Sequence, residues 1–109
     1  MGLAASQARY LALTAQKSDL ELTGQQINQS RLELANVTND LFNQSTVLDP
    51  TSTQAIQIQL RINALQSLDQ SLELQLRRVD TQQQAVQTEL DAVKKVIDKN
   101  VELTFKTFA

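Results

Sequence analysis

The chain contains neither cysteine nor histidine. Without cysteine there is no disulfide, no thiolate nucleophile and no thiolate metal site. Without histidine the commonest metal ligand and general base is gone as well. The lack of cysteine suits the cytosol and suits export through a narrow secretion channel equally, so the compartment stays open on this ground. Only two glycines and one proline occur among 109 residues. So little turn chemistry cannot serve many short strands and loops, and the chain has to be built from very few, very long elements. Aromatic residues make up 4% and charged residues 20%, the latter below the roughly 25% usual for soluble domains. With a net charge of −2 there is no basic surface to recommend a nucleic acid or an acidic membrane as partner. No apolar run is long enough for a transmembrane segment.

Leucine, alanine and glutamine are plentiful instead, and the apolar residues recur with a fixed period. Leu13, Leu20, Ile27, Leu34, Leu41 and Leu48 follow one another at intervals of seven. Ile58, Leu65, Leu72, Val79, Val86 and Val93 do the same in the second half. Heptads sustained over this length predict two long helices whose apolar stripes wind around each other. Between the two runs lies the only proline. Asp49 can cap a helix that starts with Pro50, where the missing N–H costs nothing. Thr51-Ser52-Thr53-Gln54 offers an alternative capping box one turn later.

Folding the chain at Asp49–Pro50 brings Leu41 opposite Ile58, Leu34 opposite Leu65, Ile27 opposite Leu72, Leu20 opposite Val79 and Leu13 opposite Val86. The numbers of the facing residues add to 99 in all five layers. Two unrelated heptads could take any register, whereas this one centres on the turn. The expectation is an all-α chain, two long helices in an antiparallel coiled-coil hairpin: helix one over about 2–46, the turn over about 47–52 and helix two over about 53–107. The second row of the seam is less regular. Ile62, Leu76, Leu90 and Ile97 flank it on helix two, where Asp69 and Gln83 interrupt. On helix one the matching positions carry Lys17, Gly24 and Arg31. A helical glycine costs roughly 1 kcal/mol, so Gly24 is either a tolerated residue or the mark of a kink or close approach.

The chain has more apolar residues than one seam can take. Outside it lie Leu3, Leu11, Leu22, Leu32, Val37 and Phe42 on helix one, and Leu60, Leu74, Val96, Leu103, Phe105 and Phe108 on helix two. Surplus of this kind marks an interaction surface. In the hairpin the apolar opening MGLAASQARYLALTA lies beside the last segment, where Val101, Phe105 and Phe108 stand at helical spacing. Both ends are then apolar where a free end would fray. Leu3, Leu11, Leu22, Leu32, Leu60, Leu74, Val96, Val101, Leu103, Phe105 and Phe108 are therefore the expected assembly surface, with a second copy of the chain as partner. Gln and Asn can pair across such a contact without burying charge.

Gln7 and Arg9 break the apolar opening and no basic segment precedes it, so a cleaved secretory signal is not expected. Met1-Gly2-Leu3-Ala4-Ala5-Ser6 does fit the loose pattern for acylation of Gly2, which keeps a lipid-anchored coiled coil as a distant reading. Catalysis has little to work with. Asp91, Lys94, Lys95, Asp98 and Lys99 are spaced as surface ion pairs, and Asp19, Glu21 and Asp40 follow no calcium-loop pattern. No catalytic residue, metal ligand or cofactor site is assigned.

A cysteine-free, aromatic-poor hairpin of two long helices, rich in Gln, Asn, Ser and Thr and with apolar termini, resembles the needle subunits of bacterial type III secretion and the flagellar axial proteins. In this resemblance Pro50 corresponds to the needle family's proline-bearing turn, and Val93–Ala109 to its C-terminal assembly helix. The turn departs in carrying a single proline, and the chain is longer than the usual needle subunit. The start MGLAASQAR with GQQINQ is also similar to the start of uncharacterised bacterial proteins, which implies a bacterial origin. What the resemblance implies is a subunit exported without a cleaved signal, with the secretion apparatus as a further partner, that polymerises through its terminal helices into a filament or tube at or beyond the cell surface. A phage tube of similar build satisfies the same pattern. The alternative is a cytoplasmic secretion chaperone or adaptor that holds a partner's helix against Leu11, Leu22, Leu60 and Leu74.

Overall fold

The computed structural model describes residues 2–108. Among them are two α-helices, α1 over Leu3–Ser45 and α2 over Thr53–Phe108, and no strand. The fold is the all-α helical hairpin. α1 opens with a bond from the Ser6 N–H to the Gly2 carbonyl at 2.9 Å, which puts glycine at the capping position. Threonine, a modest helix former, is accommodated by a common device. The hydroxyls of Thr14, Thr23, Thr88, Thr104 and Thr107 each donate to the carbonyl four residues back, at 2.8–2.9 Å.

Without a glycine to end it, α1 closes with side chains. Ser45 Oγ donates to the Phe42 carbonyl at 2.6 Å and Thr46 Oγ1 to the Asn43 carbonyl at 2.7 Å, satisfying groups the helix end leaves without partners. A turn follows at 49–52, where the Ser52 N–H bonds the Asp49 carbonyl at 2.9 Å across Pro50 and Thr51. Proline there presets the backbone for the second turn position. Asp49 Oδ1 accepts both the N–H and the hydroxyl of Thr51, at 2.9 and 2.8 Å. These bonds hold the Asp49 carboxyl below the usual carboxylate range. The N-cap of α2 is Ser52, whose Oγ accepts the Ala55 N–H at 3.2 Å. Neither position offered by the sequence holds that role: Asp49 spends its carboxylate on the turn, and Thr51 is its partner there.

The chain forms two compact units. The first joins Met1–Thr23 to Val79–Ala109, and the second is Gly24–Arg78. In the first the buried apolar residues are Leu13, Val79 and Leu90, and in the second Ile27, Leu41, Ala55 and Ile62. Leu20 and Val86 in the first unit, and Leu34, Ile58, Leu65 and Leu72 in the second, are half-buried. Buried and half-buried positions alternate at three and four residues along each segment, the spacing of a coiled-coil seam. α1 continues through Gly24 as regular helix, and no described residue has a positive φ.

Candidate interaction surface

The interruptions of the seam answer one another. In the second unit Arg31 reaches across to Asp69 with two hydrogen bonds, Nε to Oδ1 at 2.8 Å and Nη2 to Oδ2 at 3.3 Å. Both side chains are partly covered. The hydrogen bond from Arg31 is the main reason the Asp69 carboxyl lies below the usual carboxylate range, and the same bond raises the Arg31 guanidinium. In the first unit Lys17 and Gln83 line one groove of about 370 Å³, together with Glu21, Asp80, Gln84 and Gln87. The first unit also has Arg9 Nη2 at 2.6 Å from Glu89 Oε2, an exposed pair. Arg31 with Asp69 adds to 100 and Arg9 with Glu89 to 98, on either side of the 99 read from the heptads. The sequence presents Arg31 and Asp69 as separate faults. Pairing the second rows as the first were paired would have matched them.

The second unit carries an open groove of about 710 Å³ beside the ion pair, with Leu32, Ala35, Phe42 and Ile62 as its apolar wall and Asn28, Asn39 and Gln66 among its polar groups. Arg31 and Asp69 stand at its edge as an ion pair. The groove can receive apolar side chains and pair with amides. Among the described residues there is no cluster of three or more acidic side chains arranged to hold a metal ion, and no helix is long and apolar enough to cross a membrane.

The residues expected at an assembly surface fall into three places. Leu11 and Leu22 in the first unit, and Leu32, Leu60 and Leu74 in the second, are exposed along the outsides of the helices. Val37, Phe42, Val47, Ile56 and Leu68 of the second unit are exposed with them, and of these Val47, Ile56 and Leu68 do not stand out in the sequence. A count of apolar residues off both seam rows would have found them. Val96, Val101, Leu103 and Phe105 are exposed near the end of α2, with Phe105 at 77%. Leu3 differs: it is half-buried, ten residues before Leu13 on the inward three–four spacing, so it belongs to the seam. The side chain of Phe108 lies outside the described residues. Sequence reasoning also passed over Ser6. It is fully buried seven residues before Leu13, and its Oγ finds no hydrogen-bond partner among the described residues.

No family model, curated protein or solved structure matches the chain.

Proposed function

We propose that the chain is a self-assembling structural subunit of a filament or tube, joined to its neighbours through the apolar ends of its helices. The observation that carries this reading is the end of α2. Every residue over 101–107 is exposed, and Val101, Leu103 and Phe105 are among them. Exposed apolar surface of that extent costs solubility, and a neighbouring subunit would cover it. The resemblance to needle subunits adds the setting: export from a bacterium without a cleaved signal, with assembly outside the cell. Catalysis has no part in the proposal.

Negative-stain electron microscopy of the concentrated, untagged protein tests it, beside a version lacking Thr104–Ala109. The expected result is regular filaments from the full chain and none from the shortened one. Discrete particles at every concentration would overturn the reading. They would favour the chaperone, which needs the outward leucines but no polymer.

A further inference from the structure

The outward side of α1 in the first unit bears a second periodic stripe, opposite the seam. Ala4, Ala8, Leu11, Ala15, Ser18 and Leu22 follow one another at intervals of four and three. All six are exposed, Leu11 at 69% and Leu22 at 54%. The outer face of a solvated helix is where lysine and glutamate ordinarily stand. Here no member of the stripe is charged, and the charged residues of this segment lie elsewhere: Arg9 turns to Glu89, Lys17 is half-buried on the seam side, and Asp19 and Glu21 flank the stripe.

The order of large and small residues along the stripe is its own complement. Set against a copy of itself running in the opposite direction, Leu22 falls over Ala4, Leu11 over Ala15 and Ala8 over Ser18, then the same pairs in reverse. Each leucine meets a small residue, which is how facing layers interdigitate. An antiparallel pair related by a two-fold axis uses one patch twice in this manner. The flanking charges are compatible with it: Asp19 comes beside Ala5 of the other copy and Glu21 beside Gln7, so like charges do not meet.

We infer that two copies of the chain pair antiparallel through this face of α1, about a two-fold axis, with Leu11 and Leu22 as its anchors. The inference rests on the proposed self-assembly only for the identity of the partner, and it names one contact distinct from the end of α2.

The cysteine-free background makes the direct test simple. Ala8→Cys and Ser18→Cys chains are oxidised separately and as a mixture. The expected result is a mixed disulfide several-fold more abundant than either homodimer, because only the antiparallel register brings positions 8 and 18 together. Homodimers of Ala8→Cys formed as readily as the mixed species would indicate a parallel pair and overturn the inference. A second measurement uses Leu11→Lys with Leu22→Lys, both outward and so compatible with an unchanged monomer helix signal. Sedimentation should show the dimer dissociation constant raised at least about 100-fold. Unchanged association of that variant also overturns the inference. Filament formation is scored independently. Dimers without filaments leave this contact standing and remove the filament reading, while filaments from the full chain whose association the double substitution leaves unchanged do the opposite.

Discussion

The two compact units follow the same heptad rule and solve it differently. The second unit contains the turn, and its ends are accounted for: Ser45 and Thr46 bond the last carbonyls of α1, Asp49 ties down Thr51, and Ser52 caps α2. The two charged intrusions into its seam, Arg31 and Asp69, are paired with each other. The first unit differs. Its cross-helix ion pair lies on the exposed flank, the Ser6 hydroxyl in its seam has no hydrogen-bond partner among the described residues, and every residue over 101–107 of α2 is exposed. Covalent connection lets a turn complete one end with a handful of local hydrogen bonds. The apolar residues exposed over 101–107 are the surface on which the proposed assembly rests.

That contrast can be broken most forcefully in the seam. Leu13→Ala in the first unit (the side chain is 1% exposed) and Ile62→Ala in the second (5% exposed) should each cost about 2–5 kcal/mol in denaturant unfolding of the dilute protein. Leu11→Ala, on the outside, should stay within about 0.5 kcal/mol under the same conditions. A large loss from Leu11→Ala at dilution would mean that the outward stripe already packs within one chain.

The next effects are near 1 kcal/mol and opposite in sign. Ser52→Ala removes the cap of α2 and should destabilise by about 1 kcal/mol. Ser6→Ala removes a buried hydroxyl with no partner among the described residues and substitutes the better helix former. It should raise the stability by about 1 kcal/mol, read as a higher midpoint. A loss instead would show that the hydroxyl is bonded in solution. Amide hydrogen exchange sharpens the same comparison, with protection expected to be lowest over 101–107 and higher over 58–72.

The smallest effects belong to the ion pair and the turn. Asp69→Ala should lower the melting temperature by leaving Arg31 partly covered without its partner. Leu at both positions should restore it, since apolar replacement of such a pair is often neutral or better. Asp69 and Asp49 also set a pH dependence. Both carboxyls are held below their unfolded value, so the folded state favours their charged forms. Their contribution is complete above the ordinary carboxylate pKa of about 4 and is lost as the pH falls through the lower folded values. A melting curve followed downward from pH 5 should show that loss, and Asp69→Asn should remove part of it.

The fold was legible because the signals that carry it are local and repeated. Two unbroken heptads and one proline settle two helices and a turn, since a seven-residue apolar period has few other uses. The shared sum of 99 set the pairing, because an antiparallel register is fixed once its centre is known. The outward leucines were legible as surplus, by subtraction from the seam. Other features depended on groups distant in sequence or on competition between near neighbours. Arg31 and Asp69, 38 residues apart, are matched only once the second rows are paired as the first were, and Leu3 turns inward on the seam spacing while Leu11 turns outward. Asp49, Thr51 and Ser52 are each able to cap a helix, and the backbone path of the turn decides which of them does. The sequence by itself determined the helices, their pairing and the excess of apolar surface, all consequences of period and composition. Only packing in three dimensions settles how the turn shares its carboxylate and hydroxyls, that Ser6 is buried with no partner among the described residues, and which apolar side chains stay exposed. Burial and hydrogen bonding depend on where a side chain's neighbours lie in space, and a repeat in one dimension does not contain that.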